Sequence, residues 1–320
     1  MPDWDFRLFG KKQLVEAKLP VAVTFGNFDG VHAGHKQLLR DLRVLAQGNG
    51  VVVVTFFPHP TRLFTPLAAK PLLCSLAERV QLLLDVGADC VLVQEFDAAF
   101  AALTADEFCS EYLGKILSVR SVLLGYNLSY GKDRRGNWTH FETSAKKLGW
   151  NAHLAQPLLV DAGPVSSSRI RDLVAAGDVE EAEKLLGRPF SLKGVVVHGS
   201  HLGRTIGFPT ANLETANEVI PAFGVYACEV EIENQGKLRL PAVMNYGFRP
   251  TVGAHLKLQI EAHILDFSMD IYHCEVTFYL RKFLRSEMKF SGLQQLKEQI
   301  EIDTAKAREF FGLPWLEGAP

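Results

Sequence analysis

The sequence predicts an α/β fold with a parallel, doubly wound sheet in its first half, and a small antiparallel β-barrel or sandwich with a terminal helix in its second half. Two observations predict this division. Short apolar runs alternate with helical patterns in the first half, whereas strand-like runs follow one another directly in the second. The chain has 320 residues, enough for two domains of ordinary size. We assign residues 1–186 to the first domain and residues 187–320 to the second.

Buried strands and helices alternate in the first half. Each strand is a short run rich in β-branched residues and closed by Gly, Pro, Asn or Asp. The predicted strands are VAVTF at 21–25, VVVVTFF at 51–57, CVLVQ at 90–94 and SVLLG at 121–125. The predicted helices are HKQLLRDLRVLA at 35–46, SLAERVQLLLDVG at 75–87 and TADEFCSEYLGKIL at 104–117. Ligands of such sheets bind beyond the carboxyl ends of the strands.

The pattern changes near residue 187. Two short helical patterns precede the change, SSRIRDLVAAG and DVEEAEKLLG, and each ends in a glycine. The strand-like runs that follow are FSLKGVVVHG, GVYACEVEI, LRLPAVMNYG, LKLQIEAHIL and CEVTFYL. The tail, SGLQQLKEQIEIDTAKAREFFG, predicts a long amphipathic helix that packs on these strands.

The composition argues against several classes of protein. The formal net charge of -2 gives no global reason to expect binding to nucleic acid or to an anionic membrane. The five cysteines are far apart and form no CxxC, which indicates reduced thiols. The start, MPDWDFRLFGKKQ, lacks the apolar region of a secretory signal, and no apolar run is long enough to span a bilayer. We expect a cytoplasmic protein without nucleic-acid or membrane partners, whose oligomeric state the sequence leaves open.

The stretch TFGNFDGVHAGH places two imidazoles and three glycines at a strand-to-helix junction. Gly26 and Gly30 allow positive φ angles and a close approach to a ligand. His32 and His35 are three positions apart, so at the first turn of a helix both rings share one face near the positive end of the helix dipole. Such a site suits phosphate. Imidazoles can donate hydrogen bonds to phosphoryl oxygens as charge develops on them.

Two other stretches favour phosphate chemistry in the first half. In VSSSRIRDL, serines precede a helical run and can cap it, which creates another helix end that favours anions. Arg171 can then form paired hydrogen bonds with phosphate oxygens. The basic, glycine-containing segment KDRRGN, at 132–137, is a candidate phosphate-contacting loop.

The second half contains the stretch HGSHLGRTIGFPTANL at 198–213. Its glycines make it flexible, and Arg204 adds a positive charge. Further on, LKLQIEAHIL alternates, so Glu261 lies on the less apolar face of a strand. That position fits either solvent or the mouth of an active site.

Less specific interpretations of these motifs stay open. The histidines can belong to a polar surface turn, or to a zinc site for which His59 is the nearby third ligand. The serines and Arg171 can form a plain capped helix with a surface arginine. The segment at 132–137 can be a solvated turn, and Pro209 and Asn212 can shape another turn.

Motifs along the whole chain resemble those of bacterial bifunctional riboflavin kinase/FMN adenylyltransferases, also called FAD synthetases. GNFDGVHAGH resembles the G-x-F-D-G-x-H-x-G-H signature of the nucleotidyltransferase superfamily. LLGYNLSYGKDRRGN resembles the G-x-N-F-x-F-G-x-x-R-x-G loop, with Leu128 and Tyr130 in place of two phenylalanines. VSSSRIR resembles I-S-S-T-x-I-R, and TFFPHP resembles the second-strand segment, with Phe57 where an acidic or polar residue is common. The resemblance implies a Rossmann-like nucleotidyltransferase domain with a parallel sheet, then an antiparallel β-barrel with a terminal helix.

In the first domain the resemblance implies contacts with ATP. His32 and His35 match histidines that contact ATP phosphates and act in catalysis. Asn127 matches a residue that helps to hold nucleotide or flavin phosphate. The other candidates for binding ATP or phosphate are Gly26, Asn27, Phe28, Asp29, Ser167, Ser168 and Arg171. Asp29 either orients a donor or forms a turn.

In the second domain HGSHLGRTIGFPTANL resembles the riboflavin kinase signature G-x-x-x-G-R-x-x-G-x-P-T-A-N. The resemblance implies that Thr210 and Asn212 help to bind Mg²⁺ and ATP phosphates. Oxygen ligands suit magnesium, which keeps several waters and shares phosphate oxygens. Gly203 and Arg204 are the further candidates for ATP binding in this stretch.

Two later stretches extend this resemblance. IEAHILDF resembles the segment that carries the catalytic glutamate, which is Glu261 here and would accept the proton of the attacking hydroxyl. NYGFRPTV resembles N-I-G-x-R-P-T, with Tyr246 in place of an aliphatic residue. Arg285 matches an arginine near nucleotide or flavin, and a surface salt bridge is its alternative role.

The resemblance implies two reactions. The barrel phosphorylates riboflavin with Mg-ATP to give FMN, and the α/β domain transfers AMP from a second ATP to FMN, giving FAD and pyrophosphate. One alternative is a nucleotidyltransferase for another small phosphate, with an accessory barrel; the kinase-like motifs after residue 197 argue against it. The other is a non-catalytic flavin carrier or regulator, against which the retained candidate catalytic residues argue.

Overall fold

The computed structural model describes residues 5–161, 163–199, 202–233, 236, 238–250 and 256–314. Contacts divide the chain into two compact units, one ending at Ser167 and the other beginning at Ser168. The division of function between residues 1–186 and 187–320 stays a prediction. None of the helices in the described ranges is long and apolar enough to cross a membrane.

The first unit is built on a mostly parallel sheet, in which the described residues form six strands. These are β1 (Phe6–Gly10), β2 (Pro20–Phe25), β3 (Gly50–Phe57), β4 (Cys90–Glu95), β5 (Ser118–Leu124) and β6 (Asn151–Leu154). Their order is β1-β4-β3-β2-β5-β6, and only β1 is antiparallel to its neighbour. Strands β3 and β4 are added on one side of β2, whereas β5 and β6 are added on its other side, so the strand order switches between β2 and β5. Ligands of open α/β sheets bind at such a point, outside the carboxyl ends of the strands.

Both faces of this sheet are covered, which explains the continuous apolar runs of its strands. Along β3, Val52 and Val54 pack into one core, while Val51 and Val53 pack into the other. The helices of this unit are α1 (Gln13–Glu16), α2 (Ala33–Leu45), α3 (Pro60–Phe64), α4 (Leu76–Asp85), α5 (Ala98–Ala101), α6 (Ala105–Glu107), α7 (Gly114–Ile116) and α8 (Trp138–Leu148). A short hairpin, β7 (Leu159–Val160) and β8 (Gly163–Pro164), follows the sheet.

The predicted helix at 104–117 is interrupted. A π-helical turn at Phe108–Leu113 separates α6 from α7. Phe108, Cys109, Tyr112 and Leu113 are all buried in one core. The wider turn accommodates more apolar side chains on one side than a regular α-helical stripe.

The second unit is a closed antiparallel barrel, which decides between the barrel and the sandwich. Helices α9 (Ser167–Ala176) and α10 (Val179–Leu186) precede it. Its strands are β9 (Phe190–Val197), β10 (Ala211–Thr215), β11 (Gly224–Ile232), β12 (Arg239–Pro250), β13 (Leu256–Ile264) and β14 (Glu275–Arg285). Their order around the barrel is β10-β13-β12-β11-β14-β9.

Two further helices belong to the barrel unit, α11 (Leu202–Thr205) and α12 (Leu293–Phe311). Ala307 of α12 is fully buried against Val225, Ala227 and Val243 of the barrel. The predicted terminal helix and its packing are therefore confirmed. Among the elements that the prediction missed are β1, β6, β10 and α8.

Candidate active sites

The loop between β2 and α2 forms the centre of the first candidate site. β2 ends at Phe25, and α2 begins after its N-cap residue, His32. Within the loop the φ angles are 50° at Phe28, 78° at Gly30 and 39° at Val31. Residues with a Cβ rarely adopt such angles, and backbone strain of this kind concentrates at functional sites.

His32 and His35 stack on each other at the first turn of α2. Their ring centroids are 3.6 Å apart and their planes differ by 15°. Nδ1 of His32 accepts a hydrogen bond from the backbone N–H of His35 at 3.3 Å, so an imidazole caps this helix. Both rings lie at the positive end of the helix dipole, where a phosphate is stabilised.

The His35 ring has a nitrogen that is available to bind a ligand. Its Nδ1 is buried and has no hydrogen-bond partner among the described residues. Phe28 packs its ring at a steep angle against the imidazole, with centroids 5.0 Å apart. Burial lowers the pKa of His35 well below its usual value, and electrostatic interactions with His32 and Arg79 lower it further. The ring is therefore neutral near pH 7 and has an unsatisfied nitrogen.

Neighbouring segments hold the loop in place. Oδ1 of Asp29 accepts a hydrogen bond from the Leu73 N–H at 2.9 Å, and the Gly30 N–H lies 3.2 Å from Sγ of Cys74. Oγ of Ser167 donates to the carbonyl of Asp29 at 2.9 Å. Asp29 is 2% exposed. Its carboxylate therefore supports the loop from inside the protein, through a bond to a segment 44 positions away.

Arg79, on α4, is a residue of this site that sequence reasoning missed. It is fully buried, and Nη1 donates to the carbonyls of Asn27 at 3.0 Å and Phe56 at 3.2 Å. Oγ1 of Thr55 also donates to the Asn27 carbonyl, at 3.2 Å. In the sequence Arg79 is one charged residue in an amphipathic helix, and no local pattern distinguishes it.

A second loop follows β5, the neighbour of β2 in the sheet. Asn127 is exposed in this loop, as are the basic residues Lys132, Arg134 and Arg135. Because β2 and β5 are parallel neighbours, their following loops leave from the same edge of the sheet. The predicted phosphate-contacting residues of the two loops thus share that edge.

The base of this second loop is closed by Tyr130. A Cβ added at Gly136 would lie 2.6 Å from the Tyr130 ring, so the backbone can pass this close to the ring only at a glycine. Oη of Tyr130 lies 2.7 Å from Nδ1 of His140, whose Nε2 lies 3.3 Å from Asp106. Sγ of Cys109 lies 3.6 Å from the same hydroxyl. The tyrosine that replaces the expected phenylalanine thus contacts both α8 and the π-helical turn at Phe108–Leu113.

The remaining predicted phosphate residues lie on α9. Ser168 and Arg171 are the second and fifth residues of that helix. Ile170 and Val174 form its buried side. Contacts group Ser168 and Arg171 with the second unit, whereas Ser167 belongs with the first.

The second candidate site lies on the barrel. Asn212 of β10 and Glu261 of β13 are directly paired across the two strands. Nε2 of Gln259 donates to Oδ1 of Asn212 at 2.6 Å and also donates to Oε1 of Glu261. Gly199 is needed nearby because a Cβ there would lie 2.3 Å from Nδ2 of Asn212. Sequence reasoning missed Gln259, which connects the predicted metal ligand to the predicted base.

A cavity of about 130 Å³ lies next to this pair of strands. Arg204, Thr210, Asp270 and Tyr272 are among its lining residues. Gly203, on the short helix α11, has no room for a side chain, since a Cβ would lie 2.3 Å from the Phe208 carbonyl. Two of the predicted ligand-binding residues, Arg204 and Thr210, therefore share one cavity.

Arg285 pairs with a buried carboxylate. Its Nη2 and Nε donate to Oδ2 of Asp303 on α12 at 2.7 and 2.9 Å, and its Nη1 donates to the carbonyl of Ser286 at 2.9 Å. This bidentate pair joins the end of β14 to α12. The contacts of Arg285 thus include a structural ion pair, and a flavin contact stays a prediction.

The zinc interpretation finds no support in the described residues. They contain no group of three or more His, Cys, Asp or Glu side chains that could hold a metal ion. Nδ1 of His59 lies 2.8 Å from Oγ1 of Thr61, where it caps α3. A magnesium site made of hydroxyl, amide and phosphate oxygens does not need such a group.

Two family models match separate parts of the chain. The FAD synthetase family model matches residues 15–169, and the riboflavin kinase family model matches residues 186–311. The bifunctional riboflavin kinase/FMN adenylyltransferase of Escherichia coli K12 is 42% identical over 293 residues, covering 91% of this chain and 93% of that protein. The protein of the same description from Bacillus subtilis is 33% identical, covering 92% and 94%.

One solved structure is similar over most of the chain. It is a crystal structure from Streptococcus pneumoniae that is described as a macrolide-efflux protein. It has 32% sequence identity and a TM-score of 0.81, and the match covers 90% of this chain and 94% of that one.

Proposed function

The chain belongs to the family of bifunctional riboflavin kinase/FMN adenylyltransferases, and we propose that residues 187–320 catalyse the first of its two reactions and residues 1–186 the second. The protein is a transferase that phosphorylates riboflavin to FMN with ATP. It then transfers AMP from a second ATP to FMN, which yields FAD and pyrophosphate. The observation that carries the division is that each unit has a distinct set of reactive side chains, an imidazole pair in one and a carboxylate–amide pair in the other.

In the kinase step the 5′-hydroxyl of riboflavin attacks the γ-phosphorus of ATP. The new O–P bond replaces the bond to ADP, and the hydroxyl proton passes to the carboxylate of Glu261. Gln259 supports this role because its side-chain N–H group is bonded to the carboxylate and to Asn212 at the same time. We assign Arg204 and Gly203 to the binding of ATP, and Arg285 to the binding of flavin.

The residues present fit a magnesium ion. Oδ1 of Asn212 is a carbonyl-type oxygen with two lone pairs, one of which receives the Gln259 hydrogen bond. Thr210 supplies a hydroxyl two positions earlier. Held by these residues, Mg²⁺ would neutralise charge on the transferred phosphate. The protein side chains then have to hold the two substrates in line.

In the adenylyl transfer step a phosphate oxygen of FMN attacks the α-phosphorus of ATP, and pyrophosphate leaves. The nucleophile is already an anion, so no protein base or nucleophile is required. Catalysis consists of positioning and charge stabilisation. His32 and His35 hydrogen-bond the phosphates at the start of α2, supported by the loop of residues 26–29. Asn127 and Ser167 are the further phosphate contacts that we assign within this unit, and the phosphate roles of Ser168 and Arg171 stay predictions.

Two position-specific labels test this function. The protein is incubated with riboflavin, Mg²⁺ and ATP labelled at the α- or the γ-phosphorus, and the flavins are separated by chromatography. The γ-label should enter FMN and then FAD, whereas the α-label should enter FAD alone. FMN formation without any labelled FAD would contradict the adenylyl transfer. Transfer of the α-label to a different added phosphate, with none to FMN, would favour the alternative nucleotidyltransferase.

We also propose that the protein works in the cytoplasm. All five cysteines are free thiols in the structure, and four of them are buried. A reducing compartment keeps such thiols unpaired, and ATP is abundant there.

A further inference from the structure

Arg79 is the most unusual charged side chain in the described structure. It is fully buried, yet only one of its three guanidinium nitrogens, Nη1, makes hydrogen bonds. Nε and Nη2 are buried and have no partner among the described residues. No carboxylate of the described chain forms an ion pair with it. The folded protein thus contains a buried cation with two unsatisfied nitrogens.

Such a group is costly. A buried charge is usually paired, and a buried donor without an acceptor loses the hydrogen bonds that it made to water. A methionine of similar length would fill the same space between α4 and the sheet without that cost. The arginine therefore needs a reason that lies outside packing.

The contacts of Arg79 show where it acts. Nη1 donates to the carbonyls of Asn27 and Phe56 and to Oγ1 of Thr55 at 3.0, 3.2 and 3.3 Å. Asn27 begins the strained loop before α2, and the other two acceptors lie at the carboxyl end of β3. One guanidinium therefore fastens the loop to the rim of the sheet.

The charge of Arg79 also reaches the imidazole pair. It is one of the charges that lower the pKa of His35, after burial and His32. A buried positive charge raises the free energy of a protonated imidazole in the same region of low dielectric constant. A polyphosphate at the start of α2 would be attracted by the same field.

We propose that Arg79 is a positioning residue for adenylyl transfer. Its guanidinium holds the loop of residues 26–31 in place, and its charge is compensated by the ATP phosphates held at His32 and His35. The inference rests on the proposed function of that site. In this proposal three features attract the polyphosphate. They are the dipole of α2, the two imidazoles and the cation of Arg79, which lies behind the loop. The unsatisfied nitrogens then belong to a site that is electrostatically complete only when the polyphosphate is bound.

The test compares Arg79→Met and Arg79→Lys with Arg43→Met, a surface control in the same unit. Rates of FMN adenylylation are measured against ATP and against FMN, and riboflavin kinase activity in the same samples reports folding of the other unit. Loss of the positioning cation in Arg79→Met should lower kcat/KM for ATP about 100-fold, a loss typical of a misplaced reacting group. The KM for FMN should change little, and Arg79→Lys should recover part of the loss.

Two further readouts separate positioning from simple stability. Pyrophosphate should raise the thermal midpoint of the native protein and of Arg43→Met clearly more than that of Arg79→Met. The pKa of His35, followed by NMR of its ring, should rise in Arg79→Met because a nearby positive charge is lost. If Arg79→Met fails to fold, Thr55→Val removes one acceptor of Arg79 and should lower kcat/KM for ATP and the response to pyrophosphate in the same direction by a smaller amount.

Unchanged kinetics for ATP together with an unchanged response to pyrophosphate in Arg79→Met would overturn the proposal, whatever its thermal stability. Failure of the site assignment itself is distinguishable. In that case His35→Ala, measured in parallel, would also leave adenylylation intact.

Discussion

At the start of α2 the chain places two stacked imidazoles beside backbone N–H groups, whereas between β10 and β13 it places a carboxylate beside an amide. Both sites face ATP in our proposal, yet they differ in the nucleophile that they serve. The phosphate of FMN is an anion before it reacts, and the hydroxyl of riboflavin is not. The first site therefore needs donors and positive charge, and the second needs a group that accepts a proton.

The two sites also differ in how their side chains are held. In the first, a strained loop sets the geometry, and Asp29 and Arg79 bond that loop to other segments of the chain. In the second, the register of an antiparallel ladder sets it, because Asn212 and Glu261 are paired residues. A helix start concentrates donors, while a strand pair aligns two side chains that are far apart in sequence.

The largest expected effect comes from the carboxylate of the barrel. Glu261→Gln keeps the size of the side chain and removes the base, so riboflavin phosphorylation should fall by about 10²- to 10⁴-fold. Adenylylation of supplied FMN should stay at the native rate. Both rates are measured by chromatography of flavins. Glu214→Gln, an exposed change on the neighbouring strand β10, is the matched control.

The reciprocal change is His35→Ala. It removes a donor from the polyphosphate site and should lower adenylylation by about 10²- to 10³-fold, with riboflavin phosphorylation unaffected. His35 is a cleaner target than His32, whose ring also caps α2. His153→Ala, on β6 of the same unit, should leave both rates unchanged. Loss of both activities in folded His35→Ala would remove the distinction between the two sites.

A smaller effect is expected for the amide of the barrel. Asn212→Ala removes one oxygen ligand, so the Mg²⁺ concentration for half-maximal kinase activity should rise by about tenfold or more. The rate at saturating Mg²⁺ should suffer less than in Glu261→Gln. A Mg²⁺ titration of FMN formation measures this, and adenylylation in the same preparation should keep its native Mg²⁺ response. An unaltered kinase titration would mean that Asn212 is not a ligand.

The smallest effect concerns the base of the second loop. Tyr130→Phe installs the residue expected from the family motif and deletes the hydroxyl that lies 2.7 Å from Nδ1 of His140. The loss of one partly buried hydrogen bond should destabilise the protein by about 1 kcal/mol, seen as a lower thermal midpoint. Kinase activity should not change. If the hydroxyl acts through His140, the double variant with His140→Ala should lose little more free energy of unfolding than either single variant.

Much of the fold was accessible from the sequence because local patterns specify it. The valines of β3 are buried on both faces, and such a continuous run predicts a covered parallel strand. The start of α2 was also predictable, since glycines and two histidines at helical spacing stand at its beginning. The strand β10 was not, because PTAN has the composition of a turn, and pairing with β9 and β13, whose residues lie 15 to 51 positions away, makes it a strand.

The parts of the sites that were missed depend on long-range contacts. Gln259 lies beside Glu261 in the sequence, but its bond to Asn212 exists only once the barrel closes. Arg79 lies in a helix whose neighbouring positions carry ordinary apolar residues, and its acceptors come from 23 to 52 positions away. Periodicity identifies which side of a helix is apolar, and it does not show that a cation is enclosed there.

A helix that begins at an imidazole also decides where that ring keeps its hydrogen. Because Nδ1 of His32 receives the amide hydrogen of His35, the neutral ring carries its own hydrogen on Nε2. Folding thus selects one tautomer in advance, and the ring can donate from Nε2 without first exchanging a proton with solvent. The same backbone bond that starts the helix fixes the chemical form of a side chain at its tip.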